Sequence, residues 1–473
     1  MTDRAVSKSS RPARPAYECD VCGFRPAKWL GRCTECGEWG SIIDSTGGAS
    51  LPASLRSLTP RAPLEPARPI ATISVEPARA KPTNVPEFDR VLGGGIVPGA
   101  VVLLAGEPGV GKSTLLLDVA QQWAAGGDSP SLVVSGEEST SQVRLRADRL
   151  GALHERLFLA AETDLEAILG HLDAVKPGLL VVDSVQTISA PGHEGVAGGV
   201  TQVRAVTAAL VAVAKERGIA TMLVGHVTKD GNVAGPRVLE HLVDVVLQFE
   251  GDKHSSLRMV RGLKNRFGAA DEVGCFEMHE KGITSLPDPS GLFLTRYAEP
   301  VPGTCATVAM EGRRALVTEI QALIGATVAG SPRRTVSGLD SARLAMVLAV
   351  LQRRTDARLH DREVFAATVG GIRVIEPAAD LGVALAVASA AHDLPLEGSL
   401  VAIGEVGLTG EIRRVGAVSR RLSEAARLGF QTALVPPGCG PAASGSSPSG
   451  MKILEVGDLP TALRWAAQAS IVR

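Results

Sequence analysis

The sequence has no excess of either charge: 49 Lys and Arg stand against 50 Asp and Glu in 473 residues. A polyanion would therefore have to be held by local basic clusters, not by the field of the whole molecule. There is no run of about 18 apolar residues, the length a membrane-spanning helix needs. The longest helical candidate, Ala205 to Ala214, meets Lys215 and Glu216 too soon. Met1 to Pro15 carries Arg4, Lys8, Arg11 and Arg14 but no apolar stretch, so a secretory signal is not expected and a cytoplasmic location is. No repeat of fixed period is present. The cysteines are not spaced as a disulfide framework: four of the seven crowd together at Cys19, Cys22, Cys33 and Cys36, while Cys275, Cys305 and Cys439 are scattered. These absences argue against a membrane protein, a repeat array and a disulfide-stapled secreted domain.

What is present is a globular composition, 45% hydrophobic and 21% charged, in a chain too long for one core. Residues 17–40 form a compact cysteine-bearing unit. Residues 44–82, rich in Ala, Pro, Ser and Arg, read as a linker. From residue 83 to 286, short apolar runs alternate with helical stretches; the runs are Val101–Leu104, Leu132–Val134, Leu157–Leu159, Leu179–Val182, Ala220–Val224, Val245–Phe249 and Leu257–Leu263. That alternation predicts a mostly parallel sheet with helices on both faces. Turn residues at Pro287 to Gly291 mark a boundary, and residues 287–473 read as a second α/β domain. Its strands are expected near Thr304–Met310, Ala315–Gln321, Val401–Glu405 and Thr432–Val435.

The strongest motif is Gly106-Glu107-Pro108-Gly109-Val110-Gly111-Lys112-Ser113-Thr114, which follows an apolar strand and opens a helix. Its glycines let backbone N–H groups turn inward around phosphates, Lys112 can reach the β and γ oxygens, and Ser113 offers a hydroxyl to Mg²⁺. The chemistry predicted is ATP hydrolysis. Leu179 to Asp183 is a buried strand ending in a carboxylate, the expected second partner for the metal. Ser131 to Val134 leads into Ser135-Gly136-Glu137-Glu138, and Glu137, at a strand end taken to lie next to the P-loop, is the candidate base for the attacking water. Both acids could instead simply favour the start of the helix that follows. His226, at the end of the strand after Asp183, is either a γ-phosphate sensor or a packed, hydrogen-bonded residue.

Cys19-x-x-Cys22 and Cys33-x-x-Cys36, each followed by a glycine, are two knuckles suited to a tetrahedral Zn²⁺. Four thiolates leave no open position for water, so the metal should staple the fold and not catalyse. Between Gly251 and Gly268 five basic residues, Lys253, Arg258, Arg261, Lys264 and Arg266, face one acid, Asp252. They form either a solvated strand face or a group aimed at a neighbouring subunit's phosphates.

Taken together, Tyr17 to Trp39 with Lys28-Trp29-x-Gly31-Arg32-Cys33 inside it, Leu92-Gly93-Gly94-Gly95, the P-loop, Ser135 to Ser139 and Lys264-Asn265-Arg266-Phe267-Gly268 resemble the bacterial RadA (Sms) family of DNA-repair ATPases over essentially the whole chain. The resemblance implies an α/β protein: a RecA-like P-loop ATPase core with a small zinc-binding module and a C-terminal α/β Lon-protease-like domain. It implies a homo-hexameric ring in which Lys264 and Arg266 reach across to a neighbour's ATP. It also implies binding of single-stranded and branched DNA, and promotion of branch migration in recombination driven by the RecA recombinase. Two loops, Ala190 to Thr201 and Thr228 to His241 with Lys229 and Arg237, are the DNA-contacting candidates. In the C-terminal domain Asp380 falls where the Lon-type family has its serine, and Ser419 where that family has its lysine. Neither residue can perform the displaced partner's chemistry, so no proteolysis is expected.

Overall fold

The computed structural model describes residues 17–26, 28–44, 67–127, 129–226, 236–251, 255–295, 297–327, 332–440 and 450–471. The chain divides into two compact units, Met1–Ser74 and Val75–Arg473. In the first, β1 (Tyr17–Cys19) pairs antiparallel with β2 (Ile42–Asp44). Among its described residues the buried apolar cluster is Cys19, Cys33 and Ile42, with Tyr17, Phe24 and Leu30 against them. So small a core cannot offset the entropy of ordering the chain, and the fold depends on what the cysteines hold.

The second unit opens with α1 (Pro86–Leu92), which has Pro86 at its first position and Gly93 as a left-handed cap. Gly95 is required where it stands: at φ 138°, a Cβ there would lie 2.1 Å from the Lys81 carbonyl. There follow β3 (Val101–Gly106), α2 (Lys112–Gly126), β4 (Ser131–Ser135), α3 (Thr140–Leu150), β5 (Leu157–Ala161), α4 (Leu165–Val175), β6 (Leu179–Asp183), α5 (Val200–Arg217), β7 (Ala220–His226), α6 (Pro236–Leu239) and β8 (Val245–Gly251). β9 (Leu257–Asn265), β10 (Val273–His279) and β11 (Gly282–Ser285) complete a nine-stranded sheet of order β11-β10-β9-β8-β3-β7-β6-β4-β5. The six strands from β8 to β5 are parallel, whereas β8 to β11 run antiparallel. The parallel half matches the expected alternation of strand and helix. Of the antiparallel extension, β9 matches the run expected at Leu257–Leu263, but β10 and β11 were not among the expected strands, because a meander needs no intervening helix to announce it.

A short α7 (Ser290–Phe293) leads to β12 (Thr304–Glu311), β13 (Arg314–Ala326), β14 (Arg334–Ser337), α8 (Ser341–Arg354), β15 (Arg362–Thr368), α9 (Asp380–His392) and β16 (Leu400–Ala402). Then come the two-residue strands β17 (Glu405–Val406) and β18 (Ile412–Arg413), α10 (Val418–Arg427), β19 (Thr432–Val435), β20 (Lys452–Glu455) and a last helix, Leu459–Ile471. The strand expected at Val401–Glu405 is broken: β16 ends at Ala402, and Glu405 starts a separate hairpin with β18. The second sheet is mixed, with order β14-β15-β13-β12-β16-β19-β20. Its centre is α9, buried from Asp380 to Ser389, as expected of a helix apolar on every side.

The two sheets are joined through the turn between β12 and β13. Arg314, 8% exposed, is hydrogen-bonded and ion-paired to Glu87 of α1, which is itself 1% exposed. Arg314 also donates to the Pro287 carbonyl at 2.7 Å, and Arg261 of β9 meets Glu311 at 2.6 Å. No helix among the described residues is long and apolar enough to cross a membrane.

Candidate active site

Parallel register explains why residues far apart in sequence converge. Gly106 at the end of β3 lies opposite His226 at the end of β7, and Asp183 at the end of β6 lies opposite Ser135 at the end of β4. The carboxyl ends of parallel strands are where open α/β sheets bind ligands. Glu137, Asp183 and His226 each bring a polar atom within 4.8 Å of the others. The expectation that the strand carrying Glu137 adjoins the P-loop strand is corrected: β7 and β6 lie between β3 and β4. Glu137 still enters the cluster, because Ser135-Gly136 carries the chain back over β6, and Gly136 N–H donates to the Asp183 carbonyl at 2.8 Å. A Cβ on Gly136 would lie 2.0 Å from Thr187 Oγ1, so only glycine fits that crossing.

The P-loop runs from Gly106 through Glu107, Pro108, Gly109, Val110 and Gly111, with Gly109 and Gly111 at φ 81° and 110°. Lys112, 4% exposed, donates from Nζ to the carbonyls of Gly106 at 2.8 Å and Glu107 at 2.9 Å. Burial lowers its pKa, opposed by the charges of Asp183 and Glu137. Arg258, part of the basic run, belongs to this loop: its Nε donates to Val110 O at 3.1 Å. The sequence carried no signal for that contact, which depends on β8 and β9 folding back beside β3. Ser113 and Thr114 open α2.

Asp183 is pushed upward by burial, against a hydrogen bond from Ser113. A desolvated carboxylate bonded to the P-loop hydroxyl is the donor pair that Mg²⁺ takes in this class of site. Glu137 is pulled the other way. Burial would raise it, but Ser184 Oγ donating at 2.6 Å and His226 Nε2 at 2.9 Å, with the Lys112 charge, bring it below the ordinary carboxylate range. Sequence reasoning missed Ser184, which only the β6 turn brings to Glu137. Glu138 faces elsewhere, bonded to Arg146 at 2.6 Å.

Lys264 and Arg266 lie far from this cluster. Asn265 pairs with Val245, and Val245 lies beside Val102, four residues down β3 from Gly106, about 13 Å along the strand. Lys264 Nζ donates to the carbonyls of Glu240 at 2.6 Å and Val243 at 2.9 Å, and Arg266 pairs with Asp244 at 3.0 Å. Asn265 Nδ2 donates to Leu92 O at 3.1 Å and fixes the loop against α1, while Phe267 is half-exposed and Gly268 packs near Leu92 O. Of the two DNA-loop candidates, the first is organised by Gln202, whose amide holds Ala190 N at 2.9 Å and His193 O at 2.6 Å. Lys229 and the side chain of Arg237 in the second, like Lys253 and Asp252, lie outside the described residues.

In the ribbon, Cys19 Sγ and Cys36 Sγ are 3.6 Å apart, as are Cys22 Sγ and Cys33 Sγ, and all four sulfurs fall within 4.8 Å of one another. A tetrahedron with Zn–S bonds of about 2.3 Å has edges of about 3.8 Å, so the four cysteines fit zinc. A hydrogen bond with Ser41 holds the Cys19 thiol down to about 6, while burial and the neighbouring sulfurs push Cys22 up to about 12 and Cys36 upward, the spread expected of thiols packed this closely.

At the start of α9 Asp380, 3% exposed, accepts at Oδ1 from Arg343 Nε at 2.9 Å, and its Oδ2 accepts from Val406 N at 3.2 Å and from Arg343 Nη2. Ser419 is exposed on α10.

Comparison with known proteins agrees with this geometry. A family described as "AAA domain" matches residues 66–232, one described as "Rubredoxin metal binding domain" matches 17–44, and one described as "Subunit ChlI of Mg-chelatase" matches 370–438. The chain is 54% identical over 465 residues to the "DNA repair protein RadA" of Mycolicibacterium smegmatis, covering 97% of this chain and 98% of that one. It belongs to the RadA family. The protein of that name from Mycobacterium tuberculosis is 54% identical over 96% of this chain and 93% of its own, and that of Listeria monocytogenes is 42% identical over 91% and 93%. The fold is therefore a P-loop ATPase core with an N-terminal zinc ribbon and a C-terminal Lon-like α/β module.

Proposed function

We propose that this chain is a DNA-dependent ATPase that acts on recombination intermediates in DNA repair, binding single-stranded and branched DNA and promoting branch migration alongside a RecA-type recombinase in the cytoplasm. The observation that carries the reading is the convergence of Lys112, Ser113, Asp183 and Glu137 at the strand ends of a chain belonging to the RadA family. The loop from Gly106 to Thr114 binds the phosphates of ATP, with Lys112 exchanging the carbonyls of Gly106 and Glu107 for the β and γ oxygens. Ser113 and Asp183 would hold Mg²⁺, which neutralises charge on those oxygens. Glu137, kept ionised by Ser184 and His226, orients and deprotonates the attacking water.

Lys264 and Arg266 complete the site of a neighbouring subunit in a homo-hexamer. The register that separates them from their own P-loop supports this, since a role at the nucleotide then requires a second copy. The loop at residues 190–201 and the one carrying Lys229 and Arg237 meet DNA through its backbone, which makes binding independent of sequence and sensitive to salt. The Lon-like module is a scaffold and not a protease. The carboxylate at the serine's place is tied to Arg343, and no amine stands at Ser419. Three-strand branch migration with a RecA-type recombinase, run in parallel with the Lys112→Ala protein, tests the reading: joint molecules should extend only with the parent. Equal extension with both would reject ATP-driven migration.

A further inference from the structure

Two of the chain's four tryptophans stand on the zinc ribbon, Trp29 with 60% and Trp39 with 74% of its surface exposed. Neither belongs to the small cluster around Cys19, Cys33 and Ile42. The ribbon is folded by its cysteines, so folding does not explain two indoles left in water, where each forgoes the gain of burial. The backbone also brings them together. A Cβ placed on Gly31 would lie 3.7 Å from Trp29 Cη2 and 4.0 Å from Trp39 Cζ3, so both rings border one point. The Arg32–Trp39 bridge and the bond from Gly40 N to Gly31 O at 2.9 Å fix the strands that carry them.

A cation adjoins each ring, and Glu38 precedes Trp39. The Arg32 guanidinium lies 5.7 Å from the Trp39 ring centroid and is held by a 2.6 Å bond from Nε to the Gly37 carbonyl. Lys28 is exposed next to Trp29. Glu18, the acid of β1, is taken up by Arg25 at 2.9 Å.

We propose that Trp29 and Trp39 form a stacking platform for the unpaired bases of single-stranded DNA, with Arg32 and Lys28 meeting the adjoining phosphates. This rests on the DNA-binding reading above and adds a site to it. Every base has a π-face, so paired aromatic rings with flanking cations hold a single strand without reading its sequence. Asp20, Glu35 and Glu38 remain exposed on the same ribbon, so the platform's share of affinity comes from stacking more than from phosphates and changes little with salt.

The test uses the full-length protein, an oligothymidine strand and an abasic strand of equal length, with zinc content measured on every variant. Trp29→Ala and Trp39→Ala should each weaken oligothymidine binding about 5- to 150-fold, the range of one aromatic–base stack, and leave the abasic strand bound as before. Trp39→Phe should retain most of the binding and Trp39→Leu should not, which separates stacking from simple apolar contact and from loss of fold. DNA should quench the parent's tryptophan fluorescence, and the double variant should lose that response. If the parent binds oligothymidine and the zinc-replete alanine variants bind it equally well, the platform is refuted and the rings face a protein instead. If the parent binds no single strand, the DNA-binding reading and the platform fall together.

Discussion

Glu137 shows how neighbours set the chemistry of one residue. Its carboxylate is partly desolvated, which by itself would raise its pKa, yet Ser184, His226 and Lys112 together hold it ionised. A base must be unprotonated to take a proton, so its activity should persist into acid and fall only below the ordinary carboxylate range. Removing His226 removes two of the lowering influences. His226→Ala should therefore move the acid limb of the kcat/KM profile to higher pH, while nucleotide binding at neutral pH changes little. A profile that superimposes on the parent's would show that His226 does not govern Glu137. The acids were readable in the sequence because each ends an apolar run. Ser184 was not, because its contact depends on a turn after β6 whose direction no local pattern reports.

At the scale of elements, α1 joins the two sheets of the second unit. Its C-terminal carbonyl, Leu92 O, accepts from Asn265, and Glu87 meets Arg314 of the second sheet. Both charges of that pair are buried; without Arg314, Glu87 keeps Arg90 at 3.1 Å and the Cys275 N–H, while the Val273 and Pro287 carbonyls lose their donor. Arg314→Ala should cost about 1–3 kcal/mol in unfolding free energy, the scale for buried polar groups that lose one partner, read from denaturant midpoints at unchanged slope; a loss within about 0.5 kcal/mol, as for an ordinary surface change, would show that Arg90 and water make up for it. The ribbon gives the opposite prediction. Cys33→Ser should abolish zinc binding, measured by atomic absorption, while ATP turnover stays near the parent rate, since the metal's folding energy is confined to the first unit. Loss of turnover would tie the ribbon to catalysis. Both knuckles were legible from spacing alone. The parallel half of the first sheet was legible from strands alternating with helices, whereas β10, β11, β14 and β15 were not: antiparallel and edge strands need no helix to mark them, and Val401–Glu405 was misjudged because Gly404 ends one apolar run and starts another. Arg314 was equally hidden, being one of two adjacent arginines with nothing local to say which is buried.

At the scale of the molecule, the claim is that ATP is hydrolysed at sites shared between copies and that DNA governs the rate. Arg266→Ala should retain nucleotide but lose turnover by about 10³-fold or more. Adding Lys112→Ala subunits, which keep the arginine, should then restore part of the rate, because each variant repairs the site the other lacks. A straight dilution line across mixing ratios would assign Arg266 to its pair with Asp244 alone. The most direct test of the central claim is the steady-state rate of ATP hydrolysis with and without single-stranded DNA, for the parent and for Lys112→Ala. The account predicts a parent rate that rises with DNA and a variant rate at background in both conditions. Hydrolysis by Lys112→Ala within a few-fold of the parent, or a parent rate indifferent to DNA, would contradict it.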